Sequence, residues 1–224
     1  MSHDGLTYDG RVTPGGPWAV RELPEATIYK LAVSEMSNNV YLIEDRVSHD
    51  AILIDAADDW PAIAAMIENS AARVRTILTT HRHWDHVRAL QEAAEATGAQ
   101  TAAGVADVDA IPVRTDIPLA HGDRLTVGSL TLDVIALRGH TPGSVAVALT
   151  SADGVQLFTG DSLFPGGVGA TNHYDYQSFP SLIADVSDRI FDVYDDAWVY
   201  PGHGDDTTLA AERPHLQEWR DRGW

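Results

Sequence analysis

Four metal-capable side chains fall within six consecutive residues, His81-Arg82-His83-Trp84-Asp85-His86, and this segment constrains the chain more than any other. It follows a β-branched apolar run, Val74–Thr80, and leads into an alanine-rich stretch that stops near Gly98, so it occupies a strand-to-helix junction. In extended backbone, residues i and i+2 point to the same side, which lets His81 and His83 grip one ion together. Asp85 and His86 come a turn later, where the chain bends into the helix and aims them at a neighbouring point. A polar helix cap would account for Asp85 through the helix dipole and leave the three histidines unexplained.

Three more positions share this setting. They are His140 in Gly139-His140-Thr141-Pro142-Gly143, Asp161 in Thr159-Gly160-Asp161-Ser162, and His203 in Pro201-Gly202-His203-Gly204. Each is a turn just after a strand, where glycine permits close backbone approach. Five imidazoles and two carboxylates are more than one tetrahedral ion uses, and suit two ions sharing a bridging carboxylate. The chain has no cysteine, which excludes cysteine nucleophiles, thiolate-bound zinc and iron–sulfur clusters. A nitrogen-and-oxygen donor set suits zinc, iron or manganese. His3, His49, His121 and His215 have no partner at ligand spacing and read as ordinary hydrogen-bonded residues.

The remaining chain supplies a frame for these turns. After a Gly/Pro-rich leader, residues 1–26, strands are expected at Thr27–Val33, Asn39–Ile43 and Ala51–Asp55. A helix is expected over Trp60–Ala72, with Asp58 and Asp59 as cap candidates. Beyond the histidine cluster, strands are expected at Gln100–Ala103, Arg124–Val127, Thr131–Leu137, Ser144–Leu149, Val155–Phe158 and Trp198–Tyr200, with helices near Ser178–Tyr194 and Thr207–Arg220. No repeat or linker divides the chain, so residues 1–224 read as one layered α/β domain.

The pattern His81-x-His83-x-Asp85-His86, followed in order by His140, Asp161 and His203, resembles the metallo-β-lactamase superfamily. The Asn39-Val40-Tyr41-Leu42, His140-Thr141-Pro142-Gly143-Ser144 and Gly160-Asp161-Ser162-Leu163-Phe164 runs are most similar to its glyoxalase II-like hydrolases. The resemblance implies a four-layer αββα sandwich with the site at one edge of two sheets. It assigns His81, His83 and His140 to a first metal, Asp85, His86 and His203 to a second, and Asp161 to the bridge. Two divalent ions, zinc foremost with iron or manganese as alternatives, would supply a metal-bridging hydroxide that Asp85 orients. Substrate contacts are expected from His173 and Tyr174, in the irregular stretch after Asp161, and from Arg88 beside the second metal.

Departures from the relatives narrow the substrate. Glyoxalase II-like enzymes carry a basic residue after a Gly-x-Gly run, where this chain has Gly167-Val168-Gly169-Ala170. They also carry a C-terminal helical domain, whereas here the sequence ends soon after His203. The expected substrate is a thioester or related small acyl compound whose carrier is not glutathione. A mononuclear iron persulfide dioxygenase is the alternative, and a lactonase, which often has Tyr where Phe164 stands, the third.

The charge balance, 15 basic against 33 acidic residues and −18 net, lacks the basic footprint of a nucleic-acid binder. The opening residues have no apolar core of a signal peptide, and no run reaches the roughly 18 apolar residues of a membrane span. A cytoplasmic monomer or homodimer, with no nucleic-acid or membrane partner, is the expectation.

Overall fold

The structure, a computed structural model, describes residues 8–223. In the first sheet β1 (Ala19–Glu22), β2 (Ala26–Val33), β3 (Asn38–Asp45), β4 (Asp50–Ile54), β5 (Arg73–Thr79), β6 (Gln100–Gly104) and β7 (Ile117–Leu119) lie side by side in chain order. The strands from β1 to β4 pair antiparallel, and those from β4 to β7 parallel. The chain then forms β8 (Arg124–Val127), β9 (Leu130–Ala136), β10 (Val145–Ser151) and β11 (Gly154–Gly160), a small hairpin of β12 (Leu163–Phe164) and β13 (Gly167–Val168), and finally β14 (Trp198–Pro201) and β15 (Thr207–Thr208). The second sheet runs β15-β14-β11-β10-β9-β8.

Alternation along each strand explains the layering. On β3, Tyr41 and Ile43 join Ile28, Leu132, Val147 and Phe158 in a core between the sheets. Val40 and Leu42 point the other way, onto Ile63, Met66, Leu90 and Ala93 of α1 (Trp60–Ser70) and α2 (Leu90–Thr97). On the far side, Ala146, Leu157 and Val199 meet Leu182, Val186 and Trp219 from α3 (Phe179–Val186) and from α5 (Leu216–Arg222), which follows the short α4 (Leu209–Glu212). A strand covered on both faces must be apolar throughout, and β3 is buried at every position. The architecture is the αββα sandwich expected from the sequence.

Several boundaries differ, each for a local reason. The leader carries β1, which pairs with β2 from Ala19 to Glu22. The helix expected directly after the histidine cluster begins only at Leu90: the cluster ends in a 3-10 turn, Trp84–His86, and the N–H groups of Arg88 and Ala89 donate to the carbonyls of Ala57 and Ala56. The expected Thr207–Arg220 helix is broken at Pro214, where a 3-10 turn separates α4 from α5. Asp59 caps α1, accepting from Ala62 N–H. Among the described residues no helix is long and apolar enough to cross a membrane.

Candidate metal centre

Strand ends bring the donors together. Asp55 follows β4, His81 and His83 follow β5, His140 follows β9, Asp161 follows β11 and His203 follows β14, all at carboxyl ends. Gly202 permits a close approach, since a Cβ there would overlap Asp161 Oδ1 and lie 3.0 Å from the His86 ring.

All seven candidate ligands converge. His81, His83 and His140 form one trio, Asp85, His86 and His203 another, and Asp161 joins His81 and His86 in a third. His86 Nε2 lies 3.1 Å from His203 Nε2 and 3.4 Å from Asp161 Oδ1. Asp161 Oδ2 lies 3.4 Å from His203 Nε2 and 3.6 Å from His140 Nε2, so this one carboxylate reaches both trios.

The surroundings fix which ring nitrogen faces inward. His140 Nδ1 donates to the Ala170 carbonyl at 2.8 Å and His203 Nδ1 to the Met36 carbonyl at 2.9 Å, because a carbonyl can only accept. His86 Nδ1 donates to Asp55 Oδ2 at 2.9 Å. Thr80 Oγ1 gives its proton to Asp55 Oδ2 and so accepts from His81 Nδ1 at 3.0 Å. These four imidazoles present Nε2 to the centre. His83 is the exception: its Nε2 meets Tyr176 Oη at 3.0 Å, which leaves Nδ1 for the centre.

Electrostatics divides these rings. Burial and the charge of His86 hold His81 well below the usual histidine range. Burial and the neighbouring His140 lower His83 to about 4. Burial also lowers His140. For His86 burial acts downward too, but Asp161 and Asp55 win and raise it well above the ordinary value. His203 is raised to about 10 against its own burial by hydrogen bonds with Asp161 and Asp85. Both carboxylates are held below the usual range against the opposing effect of burial: Asp161 chiefly by the charge of His86, Asp85 by hydrogen bonds from His203 and Asn38 and by His86.

Residues not foreseen as part of the site hold it in place. Asp55 accepts from Thr80 N and Oγ1 as well as His86. Asn38 Nδ2 donates to Asp85 Oδ2 at 2.9 Å and to the Asp85 carbonyl at 3.1 Å. Asp107, fully buried, accepts from Arg82 N, Thr141 Oγ1 and Gly143 N, tying the turn of His81–His83 to that of His140. A carboxylate closing an apolar strand was the one available signal for Asp55, the same signal that marked Asp161. Asn38 and Asp107 carry no local signal.

The expected substrate contacts separate. His173 and Tyr174 line the cavity over the centre, and Gln177 shapes their loop by accepting from both backbone N–H groups while donating to the carbonyls of His140 and Ala170. Arg88 is not part of that lining: its guanidinium donates to Asp58 at 2.6 Å and lies over the Trp84 ring. Of the histidines set aside, His49 pairs with Glu44 at 2.6 Å, His215 sits 3.4 Å from Glu218, His121 is exposed, and His3 lies outside the described residues.

The donors fit a metal centre by their own hydrogen bonding. Buried polar atoms are nearly always paired, yet His81 Nε2, His140 Nε2 and Asp161 Oδ1 have no hydrogen-bond partner. Asn39 Oδ1 and Ser162 Oγ share this state among the described residues, but these three belong to the converging groups.

Residues 33–209 match the family model of the metallo-beta-lactamase superfamily. Among curated proteins, the chain is 36% identical over 157 residues to a hydroxyacylglutathione hydrolase of Cereibacter sphaeroides, covering 68% of this chain and 60% of the relative. It is 33% identical over 166 residues to one of Pseudomonas savastanoi, covering 74% and 61%. The chain thus spans about 60% of the length of these relatives. Among solved structures, ETHE1 from Myxococcus xanthus superposes with a TM-score of 0.76 at 29% identity, covering 84% of this chain and 82% of that one. TTHA1623, in a di-iron-bound form, superposes with a TM-score of 0.71 at 29% identity, covering 82% and 96%.

Proposed function

The chain belongs to the metallo-β-lactamase superfamily, and on that premise we propose that it is a metal-dependent hydrolase of a thioester or related small acyl compound, with two divalent ions, zinc foremost, as its resident metals. The observation that carries this reading is the set of seven converging nitrogen and oxygen donors in which three buried atoms lack a hydrogen-bond partner. His81, His83 and His140 would hold one ion, Asp85, His86 and His203 the other, and Asp161 would be shared. When bound, such ions lower the pKa of water toward neutrality and polarise a carbonyl oxygen.

The chain's own residues have distinct tasks. Asp85, fixed by Asn38 and held ionised, accepts a proton-bearing partner at Oδ2 and orients the attacking water. His173 and Tyr174 flank the substrate on one side of the cavity. In the net reaction water adds to the acyl carbon and the C–S bond breaks. The acyl group leaves as a carboxylate, one proton of the water ends on sulfur and the other in solvent.

The test is metal stoichiometry on protein purified without chelator, paired with thiol release from a thioester panel. Since the chain has no cysteine, released thiol is read against no background from the protein. About two ions per chain and chelator-sensitive thiol release are the expected result. About one iron per chain, with oxygen consumed on a persulfide and no thioester cleaved, would replace this reading with a dioxygenase.

A further inference from the structure

Among the described residues, three of the six large apolar side chains left exposed, Met36, Trp84 and Tyr174, line the cavity above the metal centre. They are 49%, 54% and 46% accessible and come from three separate segments: the β2–β3 turn, the turn after β5 and the loop after β13. Single exposed apolar residues are ordinary on a protein surface. Convergence of three on one polar centre marks a binding surface.

Two of the three are held in place. Arg88 lies 4.0 Å over the Trp84 ring while its guanidinium donates to Asp58 at 2.6 Å. Tyr174 stacks on both His83 and Tyr176, at 5.2 and 5.1 Å between centroids, and Arg82 lies 4.0 Å over Tyr176 and 3.7 Å from Asp107. Trp84 is therefore backed directly by an arginine paired with a carboxylate, and Tyr174 is backed by Tyr176, which a second such arginine covers. Aromatic side chains fixed in this way offer contact area at little cost in conformational entropy.

The same pairing keeps both arginines off the cavity wall. Among the described residues no lysine or arginine lines the cavity, and Asp85 and Asp161 do. The only lysine, Lys30, is buried in an ion pair with Asp206. Away from the centre itself, a carboxylate-bearing carrier would find no lysine or arginine on the cavity wall to pair with, and a buried charge without a partner is unfavourable. The cavity encloses about 260 Å³, so it takes the reacting end of a substrate and leaves the remainder against the rim.

Resting on the hydrolase reading, we infer that the site selects acyl compounds with an aromatic or bulky apolar group beside the scissile carbonyl, seated against Met36, Trp84 and Tyr174, on a carrier that bears no carboxylate. The test uses metal-replete protein with the S-phenylacetyl and S-acetyl thioesters of N-acetylcysteamine and with S-lactoylglutathione. The S-phenethyl thioether of N-acetylcysteamine, which cannot be hydrolysed, serves for calorimetry.

The phenylacetyl thioester should exceed the acetyl one about tenfold in kcat/KM, with S-lactoylglutathione the poorest of the three. Trp84→Ala and Tyr174→Ala should each lower the phenylacetyl-to-acetyl ratio roughly threefold or more and weaken thioether binding, while Trp84→Phe should retain the ratio. Equal use of the two neutral thioesters, preference for the glutathione compound, or a ratio unmoved by both alanine variants would overturn the inference. Thioether binding weakened by both variants, with no thioester turned over, would support the apolar rim and defeat the hydrolase reading instead.

Discussion

Two buried polar clusters share the segment that leaves β14, one reached through His203 and the other through Asp206, and they are built in opposite ways. At Lys30 every donor is matched. Its ammonium gives its three hydrogen bonds to the carbonyls of Gly10 and Gly204, both at 2.7 Å, and to Asp206 Oδ1 at 2.6 Å. Asp206 Oδ2 in turn accepts from Tyr8 Oη and Trp198 Nε1. Burial pushes Lys30 down and Asp206 up, both toward neutrality, and their mutual attraction opposes this. At the histidine centre seven groups converge, imidazole rings crowd one another, and three buried atoms have no hydrogen-bond partner. Buried polarity that is complete within the chain holds structure, whereas buried polarity that is incomplete asks for a ligand.

The largest expected effect would break the comparison at its structural side. Lys30→Met leaves the Asp206 carboxylate and two carbonyls without their cation, so it should destabilise the fold by about 3–5 kcal/mol. Denaturant unfolding of the metal-free protein measures this, and a loss below about 1 kcal/mol would show that the pair is dispensable. At the other cluster the opposite pattern is expected. His83→Ala should lose roughly one ion per chain and nearly all turnover while the protein stays folded by circular dichroism, and full retention of metal would remove His83 from the centre.

Smaller effects belong to residues that hold the ligands. Asp55→Asn weakens the orientation of His86, so metal affinity in competition with a chelator should fall about 10–100-fold. Tyr176→Phe removes only the acceptor for His83 Nε2–H on a partly open side, and its loss should lie near the lower end of that range, about tenfold. Equal losses in both would mean that burial does not grade these contacts.

A third cluster extends the comparison to pH. Asp45 is fully buried and accepts from the N–H and hydroxyl groups of both Ser48 and Ser129. Burial alone would raise its carboxyl, yet these hydrogen bonds hold it below the usual range. With its folded value depressed, it contributes stability above the unfolded pKa of about 3.9, lost as pH falls through the lower folded value. Asp45→Asn should flatten the decline in unfolding free energy below about pH 4. An unchanged acid slope would assign that decline to other carboxylates.

Much of the frame was legible because it depends on neighbours in the chain. The alternating strands, the Asp59-capped helix and the cluster His81-x-His83-x-Asp85-His86 need only a few residues of context. The failures come where a distant partner competes. Val87-Arg88-Ala89 is acceptable helix sequence, but two backbone donors there find Ala56 and Ala57 instead. Arg88 near the cluster suggests a substrate contact, until Asp58, 30 positions away, takes its guanidinium.

The sequence by itself determined which donors exist: no thiol, imidazoles and carboxylates in strand-end turns, one lysine, and an αββα frame to carry them. Only the tertiary structure decided the partner of each donor. It set Nε2 inward on four histidines and Nδ1 on His83, buried Lys30 in a completed pair, and left His81, His140 and Asp161 with atoms unmatched. The reason is that a polar group's cost or use on burial depends on what lies within about 3 Å of it, and at those distances the neighbours here, Thr80 beside His81 apart, come from 20 to 176 positions away along the chain.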